Sequence, residues 1–415
     1  MHNRNNLPKE FLTLQKVQPT VTTKVRKTQR FDTACVHGHE YSDSKLGTFK
    51  VPIFLTAIFE QPERETGETR KTDRGTELKY SREENPTVKA LENSLAKLEG
   101  AEDSLAFNSG MAAISTLYFS LLENGSKIVV PLESYSITTQ LAEELSKFGI
   151  KTVKVWPSTE TIIEAIDKDT KLVFVETITN PMLRVVNIDE ISKICQEKNI
   201  PLVVDNTFAT PIIFKPLKHG AKAAVHSTTK YIAGHNDVVG GALVADKRTI
   251  VKNFWEWRRK LGNIMQPFEA FLVLRGISTL SVRFEKQSRN ALEIAEFLRE
   301  HSRILDVRYP GLKDDESHST ASKLFEKDLY GGVVTFRVKD GKEGAIKVLR
   351  KVNIIKPAPS LGGVESLLTY PVISAAKLIT PEDRKRLGIT EDVLRLSVGL
   401  EDVEDLKEDL NQALQ

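Results

Sequence analysis

Between residues 127 and 246 the chain repeats one pattern, a short run rich in valine, isoleucine and alanine followed by a helix-like stretch. The runs are KIVVP (127–131), KTVKVW (151–156), KLVFVE (171–176), PLVVDN (201–206), AKAAVHS (221–227) and GGALVAD (240–246), with stretches such as NIDEISKICQEKN between them. Short runs of this composition are what strands look like when both of their faces are covered. Crossover helices supply that cover, so the pattern predicts an α/β fold with a mainly parallel sheet and helices on both faces.

Upstream, ENPTVKALENSLAKLEG reads as a helix, with Asn85-Pro86 as its opening, Val88, Leu91, Leu95 and Leu98 on one face and Gly100 as its stop. Past residue 248 the alternation fades into a longer helical region (249–301) that breaks near Gly262 and Gly276. VRYPG, GGVVTFRV, VNIIKP and LRLSVGL then read as strands, with helices at 341–350 and 402–415. A chain of 415 residues exceeds one simple core. The expected division is an N-terminal arm and subunit-contact segment (1–84), an α/β domain (85–278) and a smaller C-terminal α+β domain (279–415).

Charge excludes some functions. Lysine plus arginine number 59 against 56 acidic residues, a net +3, which gives no footprint for nucleic acid or a membrane surface. No apolar run approaches the roughly 18 residues that span a bilayer, and MHNRNNLPKE lacks the apolar core of a secretory signal. Cys35 and Cys195 form no CxxC pair, so neither a disulfide framework nor a zinc site is expected, and a reducing cytoplasm fits. His226 and His235 flank Lys230 without an acidic or cysteine partner at ligand spacing, so no metal is expected. High lysine and glutamate content with four methionines leans towards a heat-adapted source.

In open parallel sheets, ligands bind beyond the carboxyl ends of the strands. Glu176, Thr177 and Asn180 follow one strand, Asp205 and Asn206 end the next, and Ser227, Thr229 and Lys230 follow a third. This is either a shared site or the ordinary polarity of exposed strand ends. Lys230 lies in HSTTKYIAGHND among small polar residues; a lysine attacks an aldehyde only when neutral, which requires partial desolvation. Asp205 ends a strand 25 residues earlier, and a lysine with a carboxylate partner is the pairing that pyridoxal phosphate demands. Ser109 and Gly110 open a helical stretch, as a phosphate site or as a plain N-cap. Tyr135 could stack on a flat ring or simply pack. Arg395 sits inside an apolar strand, where its fork could hold a ligand carboxylate or a structural ion pair. Gly362 and Gly363 in SLGGVES could bring backbone to a ligand or make a turn.

Together these stretches resemble the cystathionine γ-synthase / cystathionine γ-lyase / methionine γ-lyase family of pyridoxal-phosphate enzymes. The likeness spans residues 31–415 and rests on YSREENPT (80–87), FNSGMAA (107–113), ETITNP (176–181), VVDNTFATP (203–211), HSTTKYIAGHNDVVGG (226–241), SLGGVES (360–366) and RLSVGLED (395–402). The resemblance implies fold type I with pyridoxal 5'-phosphate held on Lys230 as a Schiff base. It also implies that Lys230 shuttles protons, that Asp205 pairs with the ring nitrogen and that Tyr135 stacks on the ring and aids proton transfer. Gly110, Met111, Ser227 and Thr229 would bind the phosphate, and Tyr80 and Arg82 would reach the phosphate of a neighbouring subunit. Asn180, Ser360 and Arg395 would hold the substrate carboxylate. A homotetramer with active sites shared across a dimer interface follows from the same likeness.

The implied function is carbon–sulfur lyase chemistry by γ-elimination on cystathionine or methionine. The alternatives are γ-replacement on an activated homoserine with cysteine, or a protein that binds the cofactor without turnover. Three positions depart from the family pattern. Pro359 stands where cystathionine-handling members carry a glutamate, Ile137 where methionine-cleaving members carry a cysteine, and YPVISAAKLIT (370–380) lacks a Thr-His pair.

Overall fold

The valine- and isoleucine-rich runs form one seven-stranded sheet in this computed structural model, which describes residues 29–39, 41, 47–61 and 69–415. The N-terminal arm to residue 28 lies outside the described residues. The strands are β1 (Asp103–Phe107), β2 (Lys127–Pro131), β3 (Lys151–Val155), β4 (Thr170–Glu176), β5 (Leu202–Asp205), β6 (Ala223–His226) and β7 (Gly241–Ala245), in the order β1-β7-β6-β5-β4-β2-β3. β3, β2, β4, β5 and β6 are parallel, whereas β7 runs antiparallel to both β6 and β1. Helices cover both faces. Val88, Leu91 and Leu95 of Pro86–Glu99 join the core on one side, and Ile114 and Leu117 of Gly110–Leu121 join the core on the other. The first of these helices is capped as its sequence predicts: the Asn85 side chain accepts the Thr87 N–H at 3.0 Å, and Gly100 turns out in the left-handed region at φ 71°.

β1 is a strand that the sequence pattern does not announce. Its opening residues Asp103 and Ser104 are buried because they serve Arg74, whose guanidinium also meets Glu84 and Glu92. The long helical region divides into Glu256–Leu261, Pro267–Ile277 and Leu280–Glu300. Gly262 ends the first at φ 73°, and the second break falls near Gly276 as expected, at Ser278–Thr279. Gly276 lies inside its helix, where a Cβ would come within 2.1 Å of the Ala233 carbonyl oxygen, so it permits close approach and is not a stop.

A second sheet of five strands follows: β8 (Ile304–Arg308), β9 (Val333–Val338), β10 (Lys356–Pro357), β11 (Leu367–Thr369) and β12 (Val393–Ser397), in the order β10-β11-β12-β9-β8. VNIIKP contributes only its last two residues as strand. The N–H groups of Asn353, Ile354 and Ile355 instead donate to the Asp409 carboxylate at 2.8–3.0 Å. One continuous core joins a face of the large sheet to the Leu280–Glu300 helix and the second sheet, and Phe31–Gln415 forms one compact unit. Cys35 and Cys195 are both free and buried. Among the described residues no helix is long and apolar enough to cross a membrane.

Candidate active site

Parallel strands that start in register also end together, and here that places three chemistry-bearing segments side by side. Glu176 on β4 is paired with Asp205 on β5, and Asp205 with Val225 on β6, so residues 177–180, 205–207 and 227–230 emerge at one edge. Thr207 ties two of them together. Its N–H (3.0 Å) and hydroxyl (2.5 Å) donate to Asp205 Oδ1, and its hydroxyl oxygen accepts the Ser227 N–H at 2.8 Å. Burial raises the Asp205 carboxyl above its ordinary range. Glu176 is pushed up further, by burial first and then by Asp205 beside it, and its Oε1 accepts the Tyr135 N–H at 2.6 Å.

Lys230 Nζ donates to Ser360 Oγ at 2.8 Å, which brings the first sheet's lysine to the second sheet's SLGG loop. Burial, and secondarily the charge of Arg395, lowers its ammonium to about 8. Arg395 on β12 is buried. Its Nη1 donates to Asn180 Oδ1 at 2.6 Å, and its Nη2 to the Ser360 carbonyl at 2.8 Å. It has no carboxylate partner among the described residues, so the structural ion pair that the sequence allowed is not what holds it. Burial depresses this arginine to about 10.

Gly110 opens the Gly110–Leu121 helix directly against Ser227; a Cβ on Gly110 would meet Ser227 Cβ at 3.1 Å. Ser109 caps the helix by accepting the Ala112 N–H at 3.0 Å. First-turn N–H groups have no carbonyl ahead of them and carry the positive end of the helix dipole. Every residue that the family resemblance assigns to the site, except Tyr80 and Arg82, lines one cavity of about 750 Å³, whereas Thr177, Asn206, Gly362 and Gly363 do not. Tyr80 and Arg82 lie outside it and pack on each other, with the guanidinium 5.3 Å from the ring centre and Arg82 Nη1 donating to the Arg259 carbonyl at 2.9 Å.

Several sequence readings need correction. Gly362, at φ +78°, faces protein and not ligand, since a Cβ there would come within 2.6 Å of the Tyr231 nitrogen. Asn206 is a fully buried brace that accepts the Thr177 hydroxyl at 2.7 Å and donates to the Phe214 carbonyl at 2.8 Å. His226, without an acidic partner at ligand spacing in the sequence, is held in the core by a distant one: Nε2 lies 2.5 Å from Glu99 Oε1, both buried, across 127 residues of sequence. Among the described residues no group of three or more His, Cys, Asp or Glu side chains could hold a metal. Sequence reasoning missed Glu133, a fully buried carboxylate two residues before Tyr135. Its place just past the end of β2 was the available signal.

The residues present fit pyridoxal phosphate. A lysine near 8 is partly neutral and suits an aldehyde, and a buried carboxylate suits a pyridine nitrogen. The helix start at Gly110 packs directly on Ser227, so its first-turn N–H groups come beside the Ser227 and Thr229 hydroxyls in the cavity lining, a donor set that suits phosphate. Comparison with known proteins points the same way. The cystathionine beta-lyase of Coxiella burnetii is 37% identical over 95% of this chain and 100% of its own length. The L-methionine gamma-lyase of Fusobacterium nucleatum subsp. polymorphum is 37% identical over 89% of this chain and 94% of its own. The crystal structure of cystathionine gamma synthase from Xanthomonas oryzae pv. oryzae, in complex with aminoacrylate and cysteine, superposes with a TM-score of 0.88 at 34% identity, covering 94% of this chain and 98% of that one. Since the model of the Cys/Met metabolism PLP-dependent enzymes also matches residues 32–415, the chain belongs to that family, with pyridoxal phosphate as its cofactor.

Proposed function

We propose that the protein is a carbon–sulfur lyase that performs γ-elimination on an L-amino-acid thioether, cystathionine or methionine, with the uncharged methionine type preferred. The observation that carries this reading is the remainder of the cavity lining. Once Asp205, Glu176, Lys230 and Arg395 are set aside, it mixes uncharged polar side chains with apolar ones, among them Ile114, Ile137, Ile178, Val239, Ile373 and Leu378, with Pro359 beside Ser360 and Lys377 as its one charged side chain. Cystathionine, or a cysteine acceptor in a replacement reaction, brings a second ammonium into this space, and among the described residues the cavity's only acids are Asp205 and Glu176, side by side at the strand ends with Glu176 holding the Tyr135 N–H. A methylthioether needs none.

When bound, pyridoxal phosphate supplies an electron-withdrawing ring that spreads the negative charge developed beside it. In this reading Arg395, oriented by Asn180, grips the substrate carboxylate, and Asp205 keeps the ring nitrogen protonated. Lys230, as a neutral amine, would take the proton from Cα, hand it on to the bound cofactor, and then, neutral again, take a second proton from Cβ, with Tyr135 lining the same cavity. The Cγ–S bond breaks with its electron pair on sulfur, the thiol leaves, and one water is consumed to give α-keto acid and ammonia. Tyr80 and Arg82 lie outside their own chain's cavity, and in this reading they leave their contacts with each other and with Arg259 to reach the phosphate site of a second copy in a homotetramer.

The test is a product assay on the purified holoenzyme. We expect α-keto acid and a volatile thiol from L-methionine, with kcat/KM at least about tenfold above that for L-cystathionine, since about 1.4 kcal/mol of unpaired charge suffices for that ratio. Dominant formation of a new thioether from an acylated homoserine and cysteine would overturn the lyase in favour of the replacement enzyme. A second expectation concerns loading. With Lys230 near 8, about one amine in ten is neutral at pH 7, against fewer than about one in a thousand for an exposed lysine. The neutral fraction rises with pH, so the rate at which apoprotein regains its visible band from added pyridoxal phosphate should climb about tenfold per pH unit and level off above about 8. A profile still climbing at pH 10 would refute the lowered lysine.

A further inference from the structure

Glu133 is fully buried, touches neither the cavity nor Lys230, and has no part in the chemistry above. Its two oxygens nevertheless organise the loop on which Asn180 sits. Oε1 accepts the Thr179 hydroxyl at 2.8 Å and the Met182 N–H at 2.6 Å, the residues flanking Asn180 and Pro181. Oε2 accepts Arg184 Nη1. Arg184 in turn closes the loop, because its N–H donates to Thr179 Oγ1 at 2.9 Å and its carbonyl accepts the Thr179 N–H at 2.9 Å. The same guanidinium lies 5.3 Å from the Trp156 ring centre and donates to the Leu387 carbonyl at 2.9 Å. Leu387, Met182, Ala376 and Ile379 share a small apolar cluster with Leu132 and Trp156 packed on it. The loop is thereby tied to the strand-end before Tyr135 and to the segment that forms the cavity's outer wall.

Asn180 Oδ1 is the 2.6 Å partner of Arg395 Nη1, and among the described residues Arg395 has no carboxylate to aim it. Whatever fixes Asn180 therefore fixes where that fork points. A buried ion pair contributes little net stability once desolvation is subtracted, but removing one partner disturbs the geometry around it. We propose that Glu133, with Arg184, is a positioning residue for the Asn180–Arg395 anchor and so sets the affinity for a ligand's α-carboxylate without touching it. This rests on the reading that Arg395 holds that carboxylate.

The test measures binding and not turnover. The holoenzyme is titrated with L-norleucine, which carries the carboxylate but no γ-leaving group, and with n-pentylamine, the same chain without the carboxylate. Binding is read from the change in the visible absorbance band. In Glu133→Gln we expect the dissociation constant of L-norleucine to rise about tenfold while that of n-pentylamine moves less than about twofold, with the band of the free holoenzyme unchanged. Arg184→Met leaves the Thr179 and Met182 bonds of Glu133 in place and should show the same split, which keeps the test open if Glu133→Gln does not fold. Equal weakening of both probes, or of neither, in a folded variant overturns the proposal. Arg395→Leu in the same assay separates the two layers: if it too fails to discriminate the probes, the carboxylate reading of Arg395 is what has failed.

Discussion

Lys230→Ala is expected to abolish α-keto acid release, a loss of 10⁴-fold or more on the order expected when one residue is both nucleophile and proton carrier. The cavity's other amine is Lys377, on the segment that also carries Ile373 and Leu378, and it is Lys230 that meets Ser360 Oγ. The remaining cation near Ser360 is Arg395, which is already bound to Asn180 and the Ser360 carbonyl. Folding should survive, because Nζ makes a single hydrogen bond, to Ser360 Oγ. The sign of the stability change follows from the lowered ammonium. Its folded value, about 8, lies below the unfolded value near 10.4, so the unfolded chain binds more protons between those limits. Burying the ammonium is therefore a penalty that is fully present below pH 8 and fades as pH rises through that window. Apo Lys230→Ala should melt at or above the temperature of the apo parent at pH 7, and the two should converge near pH 10.5. Turnover within about tenfold of the parent, measured on protein with an unchanged circular dichroism spectrum, would remove Lys230 from the centre of the mechanism.

What the sequence made legible follows from what burial does to composition. A strand covered on both faces has to be apolar, so β2, β4, β5 and β6 stand out as short runs, and their parallel direction follows from the helices between them. Direction itself leaves no trace in composition: GGALVAD was readable as a strand, but its antiparallel run against β6 was not. β1 was hidden because Asp103 and Ser104 are paired with a buried arginine from a distant loop. β10 was overread because Asp409, on the final helix, takes the N–H groups that would have extended it. In each case an apolar or polar residue was explained by a partner far along the chain.

The site divides along the same line. Asp205 ends one strand and Ser227, Thr229 and Lys230 follow the next at the same edge, so the rule for parallel sheets marks them as candidates, while the choice between a shared site and ordinary strand-end polarity came from the family resemblance. Arg395 was readable as a cation in an apolar strand, but whether its partner was a ligand or a carboxylate of this chain needed coordinates. The bonds of Glu133 to Thr179 and of His226 to Glu99 span 46 and 127 residues. No spacing rule reaches that far, which is why the residues that position the site were less visible than those that line it.

Replacing Arg395 tests that distinction most sharply. Arg395→Leu should lower kcat/KM for L-methionine by about 10²- to 10³-fold, within the 2–5 kcal/mol typical of removing one partner of a buried, hydrogen-bonded charge pair. Arg395→Lys keeps the charge and loses the planar fork, so it should recover only part of that loss. A structural arginine behaves differently. If Arg395 were there to hold β12 against the Ser360 loop, its removal would lower thermal stability, since a paired buried charge supports its surroundings. The described residues give it amide, hydroxyl and carbonyl acceptors but no anion, and burial has already depressed it to about 10, so the folded protein carries its charge at a penalty. Apo Arg395→Leu is therefore expected to melt no lower than the parent while catalysis collapses. A fall of more than about 5 °C with kcat/KM held within threefold would assign Arg395 to the scaffold. Loss of catalysis at undiminished stability would mean that the chain retains an unpaired buried cation for the carboxylate of its substrate.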